Sequence, residues 1–194
     1  MCGRYQFTAE QTAEILQIIQ EVSRRHGEGS WRPGEIRPTD KAPVLVADDR
    51  GIGPELYRWG YRYPGNLVIN ARAETAAEKP MFRESVALRR CVIPSTGFFE
   101  WDADKRRYLF THPGQDALYM AGLYAIRDGE PCYCILTTAA NDSIREVHNR
   151  MPLVLRREQI EPWLREPKQA GRILQTQPPM LTRTAAFEEQ LRLW

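Results

Sequence analysis

The sequence has no long apolar run. No part of its 194 residues approaches the ~20 consecutive apolar residues of a membrane-spanning helix. The chain begins Met1-Cys2-Gly3-Arg4-Tyr5 and continues at once into mixed polar sequence, without the apolar segment of a secretory leader. We therefore expect a cytoplasmic protein with no membrane partner.

Cysteine and histidine are scarce and poorly spaced for cross-links or metal. The four cysteines, Cys2, Cys91, Cys132 and Cys134, form no C-x-x-C pair, and the three histidines are not spaced for zinc. A chain of this length buries roughly 70% of the surface that its unfolded form exposes, so it needs neither disulfides nor metal to hold a core. We expect no metal and no cofactor, and we expect Cys132 and Cys134 on one buried strand face.

A large excess of charge of one sign is also missing. Lys plus Arg number 27 and Asp plus Glu number 25, which gives a formal net charge of +2. Bulk charge therefore does not by itself indicate a polyanionic partner. The cationic residues are mostly Arg, whose planar guanidinium binds phosphate through two hydrogen bonds, so a local basic groove remains compatible with the composition.

Strand-like segments outnumber helical ones. Apolar residues at helical spacing from Ile15 to Val22, followed by Gly27, predict an early helix. Further helices are predicted at 75–88, 141–147 and 158–164, and short strands at 44–47, 56–61, 67–70, 91–94, 97–101, 108–110, 118–126, 132–138 and 153–155. Strands that follow one another without regular helices argue against a doubly wound parallel sheet. We predict one α+β domain over residues 1–194, with an antiparallel, partly closed, barrel-like sheet, peripheral helices and a loosely packed tail from Gln177.

Cys2 is the first residue with distinctive chemistry. If Met1 is removed, residue 2 presents an α-amine and a thiol on adjacent carbons. An α-amine with a pKa near ~7.7–8.0 is partly neutral at physiological pH and adds to an aldehyde to form a Schiff base. The thiol then closes on the imine carbon with the advantage of an intramolecular reaction and gives a stable thiazolidine. From position alone, the commoner role of such a cysteine is a small buried residue at a strand start.

Two further residues are candidates for proton transfer. Glu100 lies in the aromatic strand Gly97-Phe98-Phe99-Glu100-Trp101, where burial would raise the carboxyl pKa towards that of a general acid. Strand alternation equally allows this carboxylate to point outward. His148 lies just before Pro152 at a predicted helix-to-strand junction, a place that often faces a cleft, although a lone histidine is more often structural.

The segment Asn70-Ala71-Arg72-Ala73-Glu74 closes a predicted strand. Its amide and guanidinium are two residues apart and share one face if the strand continues. This spacing suits positioning by Asn70 and phosphate binding by Arg72. The alternative is a strand end that leads into a helix capped by Thr75.

Taken together, these segments resemble the SOS-response-associated peptidase family. The resemblance runs in the family's order from residue 1 to about residue 155, and the ordered set is far more specific than any one motif. Its motifs are Met1-Cys2-Gly3-Arg4-Tyr5, Trp59-Gly60, Asn70-Ala71-Arg72-Ala73-Glu74-Thr75, Gly97-Phe98-Phe99-Glu100-Trp101, Thr138-Ala139-Ala140-Asn141 and His148-Asn149-Arg150-Met151-Pro152-Leu153.

The resemblance implies an abasic site processing protein that exposes Cys2 and crosslinks it to abasic sites in single-stranded DNA. It implies that Asn70 orients the N-terminus and the sugar, and that Glu100 and His148 assist proton transfer. The expected enzyme uses lyase-like Schiff-base chemistry, and Met1 leaves by self-cleavage as a peptidase or through an aminopeptidase. We expect a monomer that is associated with the nucleoid when it is bound to DNA.

The resemblance also implies a DNA-binding surface. Arg4, Arg72 and Arg150 match positions that contact phosphates, while Pro38 and Trp59 match the surface against which bases stack. Such contacts predict binding that tolerates any base sequence and is sensitive to salt. The sequence departs from the family at residues 61–66, a short loop with tyrosines where the family often has a tryptophan-containing wedge against duplex DNA.

Two other functions fit the same residues. An N-terminal-nucleophile cysteine amidase or peptidase would attack an amide with the Cys2 sulfur and use its own α-amine as the base. A non-covalent single-stranded DNA-binding module would use the arginines and aromatic residues without Cys2 chemistry.

Overall fold

The computed structural model describes residues 2–8, 13–63, 65–114 and 117–186, and these form fifteen strands and five α-helices. The strands are β1 (Tyr5–Phe7), β2 (Gly34–Ile36), β3 (Lys41–Asp48), β4 (Gly51–Trp59), β5 (Tyr61–Tyr63), β6 (Asn66–Val68), β7 (Asn70–Arg72), β8 (Arg90–Ser95), β9 (Gly97–Trp101), β10 (Arg107–Thr111), β11 (Leu118–Arg127), β12 (Glu130–Ala139), β13 (Arg150–Pro152), β14 (Val154–Leu155) and β15 (Thr182–Ala185). The helices are α1 (Ala13–His26), α2 (Ala73–Ala76), α3 (Arg83–Leu88), α4 (Ile160–Arg165) and α5 (Pro167–Ile173). The predicted α+β class is confirmed.

Five strands close into a barrel in the order β12-β4-β3-β8-β11, and β11 pairs with β12 to complete the ring. The expected barrel-like sheet is therefore confirmed, and it closes fully. Two pairings differ from the expected antiparallel arrangement, because β12 runs parallel to β4 and, further along, to β7. Parallel neighbours require a long crossover, which the chain between β4 and β12 provides.

Many residues of the buried core lie on the strands of this barrel. Cys132 and Cys134 are 3% and 0% exposed on β12, which confirms their predicted burial on one strand. Tyr133 between them is also fully buried, and its hydroxyl forms a 2.7 Å hydrogen bond with that of Tyr5 on β1. This bond joins the barrel to the second sheet.

The second sheet is antiparallel, in the order β15-β10-β9-β1-β2. Only Thr96 separates β8 from β9, so the chain passes directly from the barrel into this sheet. On β9, Phe98 is fully buried and stacks on Phe110 at 5.4 Å, which defines the inner face of the strand. Strand alternation places Glu100 on the same face.

The early helix is confirmed as α1, which buries Ile15, Ile18 and Val22 and ends before Gly27 at φ +88°. No helix among the described residues is long and apolar enough to cross a bilayer.

Two predictions about the later chain were wrong. The segment predicted as a helix at 141–147 instead forms consecutive turns over residues 142–147, where the Asn141 Oδ1 accepts from the Ser143 N–H. Within the described residues 177–186 the tail is not loosely packed, since Leu181 is buried and residues 182–185 pair with β10 as the edge strand β15; residues 187–194 lie outside the described residues. Pairing removes the unsatisfied hydrogen-bonding edge that β10 would otherwise expose.

Arg90 holds two helix ends together from inside the fold. It is 6% exposed, and its guanidinium donates to the carbonyl oxygens of Trp163 (2.5 Å), Val86 (2.8 Å), Ala87 (2.6 Å) and Leu164 (3.1 Å). These carbonyls belong to the last turns of α3 and α4, which have no intrahelical partners. One buried cation thus caps both helices.

We expect Arg90→Met to destabilise the protein by about 3–5 kcal/mol, because four buried acceptors lose a charged donor and such losses are roughly 1–3 kcal/mol each without being additive. Urea unfolding measures this change. The matched control is Arg89→Met, since the ion pair of Arg89 is with the exposed Glu84. That control should cost less than about 1 kcal/mol, and equal costs for the two variants would refute the capping role.

Candidate active site

Four segments bring Cys2, Asn70, Glu100 and His148 together. Cys2 precedes β1, Asn70 opens β7, Glu100 lies in β9, and His148 lies between β12 and β13. The Asn70 side chain forms a hydrogen bond with Cys2. Glu100 is close enough for its charge to affect the pKa of the Cys2 thiol, and for the charge of His148 to affect its own pKa. The site therefore lies where the second sheet meets the barrel.

The Cys2 thiol is buried and neutral. Its side chain is 0% exposed, and its S–H donates to the Arg4 carbonyl at 3.7 Å. Burial, followed by the nearby Glu100 carboxylate, raises the pKa of the Cys2 thiol far above its ordinary value. The sulfur is therefore a poor initial nucleophile in this environment. Met1 lies outside the described residues.

Asn70 fixes the segment that contains Cys2. Its Nδ2 donates to the Cys2 carbonyl oxygen at 2.9 Å, and its backbone pairs with Ile135 on β12. Its Oδ1 is buried and accepts no hydrogen bond from any described residue. An unsatisfied buried acceptor costs roughly 1–3 kcal/mol, so this oxygen favours an incoming N–H or O–H donor.

Glu100 is buried with only 3% of its surface exposed. Burial raises the pKa of its carboxyl above the ordinary value, and the charge of His148 opposes this shift. The two neighbours, Phe99 and Trp101, point to the opposite face, where the Arg107 guanidinium lies 3.6 Å from the centre of the Phe99 ring. Of the two orientations that the sequence allowed for Glu100, the side chain therefore adopts the inward one.

The orientation of His148 is set by the turn that precedes it. The His148 N–H donates to the Ile144 carbonyl at 2.9 Å, and its Nδ1 accepts from the Arg150 N–H at 2.9 Å. In the neutral ring this places the proton on Nε2. The described residues contain no group of three His, Cys, Asp or Glu side chains that could hold a metal ion.

A pocket of about 310 Å³ opens beside Asn70. Its walls include Arg72, Lys79, Met81 and Phe82. Arg72 is exposed and forms no ion pair with a described residue. Arg72 also occupies the N-cap position of α2, so the helix begins earlier than a Thr75 cap would allow. The pocket thus combines an apolar wall with two cations.

The chain matches a model of the SOS response associated peptidase (SRAP) family over residues 1–189. It belongs to this family. Abasic site processing protein YoqW of Bacillus subtilis is 31% identical over 181 residues, which cover 84% of this chain and 80% of that protein. Abasic site processing protein YedK of Escherichia coli is 31% identical over 182 residues, with 86% and 80% coverage. A solved structure from Bacteroides thetaiotaomicron has the same fold, with a TM-score of 0.76, 24% identity, and 95% and 91% coverage.

Two of the expected phosphate-binding arginines of this SRAP protein are engaged by carboxylates. Arg150 forms a two-pronged pair with Glu74 at 2.7 and 2.9 Å, and these hydrogen bonds lower the pKa of Glu74 to about 2. Arg4 lies 3.3 Å from Glu35, which also pairs with Arg107. The sequence pattern indicated no role for either acid, although Glu74 stands in the same motif as Arg72.

The expected base-stacking surface divides into a buried and an accessible part. Trp59 is 0% exposed, with its ring 5.2 Å from that of Tyr5 and 6.2 Å from that of Tyr133, so it presents no free face to a base. Its Nε1–H donates to the Ile69 carbonyl at 3.0 Å. Pro38 is partly exposed in a turn that is joined to Trp59 through the Thr39 N–H. Stacking on Trp59 would require its ring to leave the core.

Residues 61–66, where the sequence departs from the family pattern, lie within the β5–β6 hairpin. Tyr61 is fully buried there, whereas Tyr63 is 53% exposed. Tyr63, Leu67 and Met81 line a second open depression next to Asn70. One exposed aromatic ring is therefore available on this side of the site.

Proposed function

We propose that this SRAP protein crosslinks the aminothiol of Cys2, freed by removal of Met1, to the ring-opened sugar of an abasic site in single-stranded DNA. The observation that carries the proposal is the Asn70 amide, which holds the Cys2 carbonyl while its buried Oδ1 accepts from no donor in the described part of the chain. The α-amine of a processed Cys2, or a sugar hydroxyl, supplies such a donor. The names of the curated relatives support abasic sites as the substrate.

The bond-forming steps balance without an oxidant or a cofactor. The neutral α-amine adds to the sugar aldehyde, and loss of the resulting hydroxyl as water gives an imine. The Cys2 sulfur then adds to the imine carbon, and the thiol proton moves to the imine nitrogen. The product is a thiazolidine, and the net change is the release of one water molecule.

Glu100 and His148 move protons in this scheme. A buried carboxyl with a raised pKa stays protonated at higher pH than an exposed one, so Glu100 protonates the departing hydroxyl. His148, with the proton of its neutral ring on Nε2, exchanges protons with Glu100 or the sugar. The buried thiol reacts last, because its target is the imine carbon. It needs no prior ionisation, since its proton passes to the imine nitrogen.

The DNA strand binds through phosphate contacts and one pocket. Arg72 is the leading phosphate contact because it is exposed and lines the pocket beside Asn70. Arg4 and Arg150 reach phosphate only by sharing or exchanging their carboxylate partners. Pro38 offers an apolar surface for a base. Contacts of this kind position a strand without reading its sequence.

The buried thiol separates this proposal from a cysteine amidase. An amidase needs the sulfur as the first nucleophile, and burial raises the pKa of the Cys2 thiol far from the range in which a thiolate forms. The crosslinking route begins with the amine instead. The site therefore supports Schiff-base chemistry better than direct thiolate attack.

The test is incubation of the processed protein with single-stranded DNA that contains one abasic site. We expect a heat-stable adduct of reduced gel mobility, formed at similar rates in any base context and more slowly as salt rises. The control strand contains an intact base at the same position and should give no adduct. Absence of an adduct with both strands would overturn the proposed function.

A further inference from the structure

Asn141 is a buried polar residue that the proposed function does not use. It ends the motif Thr138-Ala139-Ala140-Asn141 and is 1% exposed. Its Nδ2 donates to the carbonyls of Pro178 (3.1 Å) and Pro179 (2.9 Å). Its Oδ1 accepts from the Ser143 N–H (3.1 Å) and the Ser143 hydroxyl (2.5 Å). Both donors and both acceptor positions of this amide are therefore used.

The backbone of Asn141 begins the turns that end at His148. The Asn141 carbonyl accepts from the N–H groups of Ile144 (3.2 Å) and Arg145 (3.0 Å). The Ile144 carbonyl then accepts from the N–H groups of Val147 (2.8 Å) and His148 (2.9 Å). These backbone hydrogen bonds connect Asn141 to the N–H of His148 through consecutive turns that do not form a regular helix.

The C-terminal segment holds this turn at both ends. Pro178 is buried against Asn141, and β15 pairs with β10 a few residues later. Arg183 on β15 forms a 2.9 Å ion pair with Glu146, two residues before His148. The position of the turn therefore depends on residues that are distant in sequence from the site.

We propose that Asn141 is a positioning residue that acts through His148, by tying the turn to the carbonyls of Pro178 and Pro179. The inference rests on the proposed function, because it concerns proton transfer by His148. Proton transfer requires donor and acceptor atoms within ~2.6–3.2 Å, a tolerance that a loose turn does not hold. Asparagine is required here because both prolyl carbonyls need an N–H donor.

The first test is Asn141→Asp, which keeps the shape and the acceptor for Ser143 but removes the N–H donors. We expect the single-turnover crosslinking rate at saturating DNA to fall about 10- to 100-fold. Affinity for a strand with a non-reactive abasic analogue should stay within about twofold, since Asn141 is only 1% exposed. The matched control is Gln177→Glu, the same amide-to-carboxylate change on the exposed neighbour of Pro178, which should alter neither quantity.

A double-mutant cycle separates positioning from general support of the fold. If Asn141 acts through His148, Asn141→Asp should change the rate less than about twofold when His148→Ala is already present. The same loss in both backgrounds would overturn the proposal. Ser143→Ala, a milder variant that removes only the hydroxyl donor, should slow the reaction in the same direction by a smaller factor.

A spectroscopic readout is independent of the crosslink. The chain has three histidines, so the ring signals of His26, His112 and His148 are readily assigned with His148→Ala. Asn141→Asp should shift the ring signals of His148 and leave those of His26 and His112 unchanged. An unmoved His148 would refute the positioning role. If wild-type protein forms no adduct, the proposed function fails. The His148 ring signals still test whether Asn141 positions His148.

Discussion

Replacement of Cys2 by Ser is expected to abolish the heat-stable adduct with abasic DNA. The variant still presents an α-amine once Met1 is removed, so it forms an imine, but a hydroxyl does not close the stable sulfur ring. The loss of stable product should be on the order of 10³-fold or more, because the intramolecular trap is removed. Denaturing gel electrophoresis after heating measures it, and borohydride should recover an adduct from the variant by reducing the imine.

Cys132→Ser is the matched control for this change. In both positions a buried thiol donates to a backbone carbonyl, at 3.7 Å from Cys2 to Arg4 and at 3.6 Å from Cys132 to Glu130. A hydroxyl preserves that hydrogen bond, so both variants should fold. The Cys132 variant should form the adduct at the wild-type rate. An equally stable adduct with the Cys2 variant would refute the thiazolidine.

Glu100→Gln is expected to slow crosslinking by about 10²- to 10⁴-fold, the usual contribution of general acid catalysis. Gln keeps the volume and polarity of the side chain but has no acidic proton to transfer. The effect should appear in the single-turnover rate and leave the affinity for an abasic analogue unchanged. The exposed Glu158→Gln is the control and should have no effect on the rate. A Glu100 variant with the wild-type rate would exclude the carboxyl from the chemistry.

The pH dependence of the rate has a defined sign. The wild-type rate should rise as the α-amine loses its proton near ~7.7–8.0 and fall as Glu100 ionises. Burial raises the pKa of Glu100, so this fall occurs at higher pH than for an exposed carboxyl. In Glu100→Gln the falling limb should vanish and the rate should increase with pH throughout. A falling limb that persists in the variant would assign it to another group.

The same shift makes Glu100 costly for stability. Its folded pKa lies above the unfolded value, so the neutral carboxyl is favoured in the fold and stability is lost as pH rises through the folded pKa. Glu100→Gln should therefore match wild type in acid and exceed it near neutrality. Each ~1 kcal/mol gained would appear as about 2–4 °C in Tm for a chain of this size.

Local pattern predicted the elements of the fold better than their connections. Helical spacing located α1, and the alternation around Cys132 and Cys134 located a buried strand. The turns at 141–147 and the strand β15 were missed, because each depends on contacts that join distant parts of the chain. Asn141, at the start of these turns, donates to the carbonyls of Pro178 and Pro179, which no local sequence pattern indicates.

The candidate site shows the same division. Sequence alone identified the aminothiol of Cys2 but left Glu100 equally able to face outward, and the register of β9 decided it by placing Phe98 in the core. The burial of Trp59 could not be predicted either, because an aromatic ring suits both a base-stacking surface and a core. The carboxylates that hold Arg4 and Arg150 come from β2 and α2, so only the assembled sheets bring them into contact.

The most direct test of the central claim is the intact mass of the adduct formed by wild-type protein and an abasic oligonucleotide. The proposed chemistry predicts the sum of the DNA and the protein without Met1, less one water molecule, with the attachment mapped to residue 2. Treatment with borohydride should leave this mass unchanged, because a thiazolidine has no imine to reduce. An adduct that retains Met1, maps to another residue or gains two hydrogens on reduction would contradict the proposal.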